Sequence, residues 1–224
     1  MLKHVKVNAL KKHTASVIFL HGLGDSGHGW ASVAEQLGPL LPHIRFIFPH
    51  APEIPVTLNF GMAMPAWYDI FSLSDFEKQD EKGLFQSADK IFELVESEMN
   101  QGIPSDRIVI GGFSQGAAIS YLAGLTCKHK LGGIAALSGY LPLHTKLLSM
   151  GDSVLSPNKH VRIFAAHGTA DPVVRYELGE LSVKELQRFG YSVQFCSYPG
   201  MEHSSSAQEI KDFSNYLSAV LPQI

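Results

Sequence analysis

Cysteine is scarce in this chain: Cys127 and Cys196 are the only two among 224 residues. Two are too few for a disulfide-stapled scaffold, and neither sits in a C-x-x-C pair. Long hydrophobic runs are missing as well. No stretch approaches the roughly eighteen apolar residues of a membrane-crossing helix. The start MLKHVKVNALKKHTASVIFL is basic, but its VIFL is too short for the core of a signal peptide. Leu2 excludes N-myristoylation, and no prenylation box is present at the C-terminus. These absences lead to the expectation of a reducing compartment, the cytoplasm, with the nucleus also open. Positive charge is not in excess either. The formal net charge is −3, so no nucleic-acid partner is expected. The eleven histidines form no H-x-x-x-H or H-E-x-x-H pair, so no metal is expected.

What is present is an ordinary globular composition, 45% hydrophobic and 17% charged, with enough apolar material for a sizeable core. Short apolar runs alternate with longer helical patterns. SVIFLHG (16–22), IRFIFPH (44–50), RIVIGGF (107–113), GGIAALSGYLP (132–142), VRIFAAHGTADP (161–172) and YSVQFCSYPG (191–200) read as strands. WASVAEQLGPLL, QGAAISYLAGL, LGELSVKELQRFG and AQEIKDFSNYLSAVL read as helices. So does 84–99, where Leu84, Ala88, Ile91, Phe92, Val95 and Met99 share a face. The alternation predicts an α/β fold: one domain over 1–224, a mainly parallel central sheet and helices on both faces. Residues 1–13 read as a short N-terminal extension. Segment 52–82 reads as loops and short elements over one end of the sheet.

GGFSQGAAIS (111–120) places Ser114 in G-x-S-x-G. Alone the pattern is weak, arising by chance in roughly one chain in fifteen of this length. Here a strand runs in and a helix runs out, the context of a nucleophile elbow. Gly112 and Gly116 are then required, because a Cβ at either would clash with the crossing strand and helix. The free N–H of Gln115 at the helix start is placed to bind a developing oxyanion. A serine needs a base, and the base an orienting carboxylate. In the order Ser, acid, His, the strand-end loops offer Asp171 in TADPVV and His203 in MEHSSS. Asp152 has no clear strand end before it. Glu202 would point away if His203 faces Ser114. His167 reads as a buried, hydrogen-bonded strand-end residue. The glycine-rich HGLGDSGHGW (21–30) makes Leu23 the second oxyanion donor; it fits neither G-x-G-x-x-G nor a P-loop.

Taken together, FLHGLGDSGHGW, PHAP, PVTLN, MPAWYDI, GIPSDRIVIGGFSQGAA, ALSGYLP, HGTADPVV and GMEHSS resemble the acyl-protein thioesterases over about residues 14–221. These α/β-hydrolases are also described as lysophospholipases or phospholipase/carboxylesterase-type enzymes. The resemblance implies a serine hydrolase that removes palmitoyl and similar groups from S-acylated cysteines of proteins, with hydrolysis of lysophospholipids and small esters besides. A small-ester carboxylesterase without protein substrates is the alternative. The resemblance assigns Ser114 as nucleophile, Asp171 as orienting acid, His203 as base, and Leu23 and Gln115 as oxyanion amides. It puts an apolar acyl channel near Leu73, Trp67 and Tyr140. No cofactor is implied, and transient contact with a membrane surface is allowed. Gly139-Tyr140 stands where relatives often have Cys-Trp, which leaves acyl-length preference open. The N-terminal cysteine that some relatives acylate is absent from MLKHVKVN.

Overall fold

The computed structural model describes all residues except 73–77 and 152–154. Asp152 and Leu73 fall outside the described residues. A seven-stranded sheet forms the centre. Its strands in chain order are β1 (His4–Val7), β2 (Ala15–Leu20), β3 (Ile44–Pro49), β6 (Ile108–Phe113), β7 (Gly133–Leu137), β8 (Arg162–Gly168) and β9 (Ser192–Tyr198). Their spatial order is β1-β3-β2-β6-β7-β8-β9. Every pairing is parallel except β1 with β3. A separate hairpin, β4 (Glu53–Val56) with β5 (Met62–Pro65), lies within the segment expected as loops and short elements.

β1 is a departure from the sequence reading. Residues 4–7, within the span read as an extension, pair antiparallel with β3, His4 opposite Pro49 and Val7 opposite Phe46. HVKV alternates over too few residues to announce a strand. Its lysine and histidine suit an edge, where charge discourages further pairing.

The helices are α1 (Gly27–Leu37), α2 (Glu81–Asn100), α3 (Gln115–Thr126), the short α4 (His144–Ser149), α5 (Tyr176–Arg188) and α6 (Ala207–Val220). α1 starts earlier than its apolar pattern, because the Ser26 side chain caps it by accepting from the His28 N–H at 3.3 Å. α2, α3 and α5 bury their apolar residues against one face of the sheet, around Ile18, Ile110 and Ile134. α1 and α6 cover the other, around Phe19, Val109 and Phe164. β2 and β7 are buried at every position, as strands covered on both faces must be. α3 is buried from Gln115 to Leu125, so small residues carry it close to the sheet.

From the edge strand β1 the chain passes inward to β2, turns back to β3 in the gap between them, then crosses to β6 on the other side of β2. The loops leaving β2 and β6 therefore diverge. In an open parallel sheet this switch point opens a crevice at the carboxyl ends of the strands. Gly22-Leu23 follows β2 there, and Ser114-Gln115 follows β6.

Candidate active site

Ser114 has φ 55° and ψ −120°, a conformation that costs a non-glycine residue about 1–3 kcal/mol. The surroundings enforce it. The Ser114 N–H donates to the Leu137 carbonyl at 2.9 Å, and its own carbonyl accepts from Ala117 and Ala118 as α3 begins. A Cβ on Gly112 would stand 2.5 Å from the Gly116 backbone, and one on Gly116 would run into the carbonyls of Leu20 and His21. Only glycine permits strand, turn and helix to approach this closely.

The structure brings Ser114, His203 and Asp171 together from the ends of β6, β9 and β8. His203 Nδ1–H donates to Asp171 Oδ2 at 2.7 Å. That tautomer leaves Nε2 to accept from the Ser114 hydroxyl at 2.8 Å. Asp171 Oδ1 accepts from the amides of Val173 and Val174 at 2.8 and 2.9 Å, which holds the carboxylate on its loop. Burial alone would raise its pKa. Contacts with His167 and His203 and the Val173 amide outweigh this and hold it well below the ordinary carboxylate range. Asp171 is thus a fixed anion behind His203.

His167 is buried, and its Nε2–H donates to the Val174 carbonyl at 2.8 Å, with Asp171 Oδ2 farther off at 3.5 Å. It buttresses the acid loop and makes no contact with Ser114. Glu202 is exposed on the loop beside His203. The His203 ring lies against Phe113, with ring centres 4.8 Å apart, and Phe113 lies against Trp30 at 5.3 Å.

Leu23 lines the same cleft as Ser114 and His203. Gln115 is the first residue of α3, where a backbone N–H has no acceptor within the helix. Two supports of this region carried no signal in the sequence. The Gln115 side chain clamps a neighbouring loop: Oε1 accepts from the Trp67 N–H at 2.9 Å, and Nε2 donates to the Tyr68 carbonyl at 2.8 Å. His21 is fully buried at the end of β2. Its Nε2 accepts from the Ala51 amide at 3.0 Å, so Nδ1 carries the proton and donates to the Gly22 carbonyl at 2.7 Å. Burial lowers its pKa, which keeps the ring neutral in this role. Neither residue stands out by charge or periodicity; only the fold supplies their partners.

The cleft beside Ser114 has a volume of about 740 Å³ and lies on the α1/α6 face of the sheet. Trp67 and Tyr140, expected in an acyl channel, are not among its lining residues. Both pack on the α2/α3 face. Trp67 is buried, and its indole N–H donates to the His21 carbonyl at 2.8 Å. The Tyr140 hydroxyl meets that of Tyr68 at 2.8 Å, and its ring lines a separate cavity of about 100 Å³ with Leu141, Leu178 and Leu181. The polar ends of these aromatics draw them to buried partners, so their placement follows hydrogen bonding as well as area. Among the described residues, no group of three His, Cys, Asp or Glu is arranged to hold a metal ion.

The phospholipase/carboxylesterase family profile matches residues 3–221. The chain is 48% identical to acyl-protein thioesterase 1 of Cryptococcus neoformans, covering 98% of each. It is also 48% identical to acyl-protein thioesterase 1 of Neurospora crassa, covering 97% of this chain and 91% of that one. Among solved structures it is similar to acyl-protein thioesterase 2 of Zea mays. That match has 30% identity and a TM-score of 0.89, covering 99% of this chain and 100% of the other. SOBER1 of Arabidopsis thaliana aligns with a TM-score of 0.86 at 30% identity, over 93% and 99% of the two chains. With a serine held on a strained elbow, a histidine and carboxylate in line behind it and this match over nearly its whole length, the chain belongs to the phospholipase/carboxylesterase family of α/β-hydrolases.

Proposed function

We propose that the protein is an acyl-protein thioesterase, a serine hydrolase that removes palmitoyl and similar groups from S-acylated cysteines. The observation that carries the hydrolase chemistry is the unbroken hydrogen-bond line from Ser114 Oγ through His203 to Asp171. The likeness to named acyl-protein thioesterases supports the substrate class.

In this reading His203 Nε2 takes the Ser114 proton as Oγ bonds to the thioester carbonyl carbon. Asp171, already anionic, stabilises the imidazolium without taking its proton. The negative charge on the carbonyl oxygen faces the backbone amides of Leu23 and Gln115. The C–S bond then breaks, and the sulfur takes the proton from His203. Water, deprotonated by the same imidazole, attacks the resulting Ser114 ester and frees the fatty acid. Both base and acid are protein groups, so we assign no cofactor.

Lysophospholipids and small esters present the same acyl carbonyl and are proposed as secondary substrates. No helix among the described residues is long and apolar enough to cross a membrane. At the β4–β5 turn, however, Phe60 is 97% exposed and Met62 59% exposed. These side chains support transient contact with a membrane surface, which vesicle sedimentation of the wild type and Phe60→Ser would test. We place the activity in the cytoplasm, with the nucleus also open. The free thiols of Cys127 and Cys196 are consistent with that placement, and imaging of a tagged chain would check it.

The deciding experiment is hydrolysis of a palmitoyl-cysteine peptide by the wild type and Ser114→Ala, with a short-chain ester in parallel. The wild type should cleave both, and the variant should lose on the order of 10⁶ in turnover. Cleavage of the short ester alone would make the protein a small-ester carboxylesterase. Equal rates for variant and wild type would remove Ser114 from the mechanism.

A further inference from the structure

The cleft at Ser114 has one buried side and one wet side. Trp30 and Phe113 form an apolar floor, and Asp25, Gln36, Ser204 and Ser205 form an exposed rim. Its walls are α1, the segment that follows His203 and the first turn of α6. Which half of the substrate it receives follows from where the leaving atom must be. When the tetrahedral adduct collapses, the C–S bond breaks, the electron pair goes to sulfur, and sulfur takes the proton carried by His203 Nε2. Sulfur must therefore lie within hydrogen-bond reach of Nε2. The polypeptide attached to it leaves along the surfaces nearest that nitrogen. In this cleft the surfaces beside His203 include Ser204 and Ser205, which follow it in the chain, and Phe113, whose ring lies tilted against the imidazole.

We propose that this cleft is the leaving-group subsite, holding the polypeptide that flanks the acylated cysteine and not the fatty chain. The proposal rests on the thioesterase reading and deepens it. The lining chemistry agrees with it. Serine hydroxyls both donate and accept, as the amides and carbonyls of an extended peptide require. A fatty chain uses none of these groups. The rim also has a sign: Asp25 is a carboxylate, and among the described residues no lysine or arginine lines the cleft. Cationic residues beside the acylated cysteine are thus favoured, and acidic ones disfavoured. Gln36, on the exposed side of α1 and outside the hydrogen-bonded line, becomes a specificity determinant.

The test uses the full chain and Gln36→Trp, which narrows the cleft without touching the catalytic groups. Three substrate sets are compared. One is palmitoyl thioesters of a six-residue cysteine peptide and of N-acetylcysteamine. The second is oxyesters of the matching serine peptide and of ethanol. The third is p-nitrophenyl esters of increasing acyl length. Gln36→Trp should lower kcat/KM for the peptide thioester about tenfold, mainly through KM. The small thioester and the acyl-length profile should stay within about twofold. With the wild type, lysine-flanked peptides should exceed glutamate-flanked ones about threefold, less so in Asp25→Asn and at high salt. A shifted acyl-length profile, or equal losses on peptide and small thioesters, would overturn the assignment. If the wild type cleaves oxyesters and no thioester, the thioesterase reading fails. The contrast between peptide and ethyl oxyesters in Gln36→Trp then decides the cleft by itself.

Discussion

Ser114 and His203 are 2.8 Å apart, yet they stand on differently built pieces of chain. Ser114 is buried between a central strand and a helix buried along nearly its whole length; its backbone bonds to β7 and α3, and the glycines flanking it press against β2. His203 hangs on a loop after the edge strand β9, with Ser204 and Ser205 exposed beside it. Backbone sterics hold the nucleophile. The base is held by what its side chain touches: Asp171 at one nitrogen and Phe113 under the ring. A change near the first should therefore damage the fold, and a change near the second should damage the chemistry and spare the fold.

Three measurements would break or sharpen that contrast. The largest effect is expected from Asp171→Asn. An amide cannot hold His203 in the tautomer that leaves Nε2 free, so turnover should fall about 10⁴-fold. The asparagine oxygen still accepts from the loop amides, so the melting temperature should move by only a few degrees. Severe unfolding of this variant would show that the base loop is as structural as the elbow. Gly116→Ala should do the reverse. Its Cβ meets the Leu20 and His21 carbonyls, where no flexible side chain is available to yield. A loss of about 3 kcal/mol or more is expected in denaturant unfolding, with activity falling as the elbow shifts. Unchanged stability would mean that α3 slides freely over β2.

The smallest effect concerns His21, which holds the Gly22 carbonyl in the loop after β2. Burial lowers its pKa below the ordinary histidine value. Between the ordinary and the lowered value the unfolded chain binds the extra proton and the folded chain does not. Stability is thus fully present above about pH 6.5 and declines as pH falls, by at most about 1.4 kcal/mol per pH unit for this one group. His13 and His50 are also lowered, chiefly by burial, and add to the slope in the same direction. Urea midpoints at pH 7.5 and 5.5 should differ, and His21→Gln should flatten the difference. An identical slope in the variant would remove His21 from the effect.

Strands with a continuous apolar run were legible, and so were the helices with one apolar face. β6 and β7 could hardly be missed, since burial on both faces leaves no polar position in them. β1 was not legible, because four residues at a solvent edge carry no pattern that separates them from a tail. Ser114, Asp171 and His203 were legible because each follows a recognisable strand in a fixed order. Trp67 and Tyr140, which the resemblance put near an acyl channel, pack on the α2/α3 face, away from the cleft at Ser114. That placement was not legible, because the partners of their polar ends, the His21 carbonyl and the Tyr68 hydroxyl, come from other parts of the chain.

The sequence by itself determined the element order, the glycine-flanked turn and the three residues of the hydrogen-bonded line. These are local in nature: a period, a steric demand for glycine, a residue type just past a strand. Only the tertiary structure decided that the Gln115 side chain clamps the Trp67-Tyr68 backbone, that His21 ties the Gly22 carbonyl to the Ala51 amide and that the open cleft lies between α1 and the His203 loop. Such contacts join residues tens of positions apart. They exist because the switch point between β2 and β6 brings two diverging loops to one end of the sheet, and no local pattern encodes that meeting.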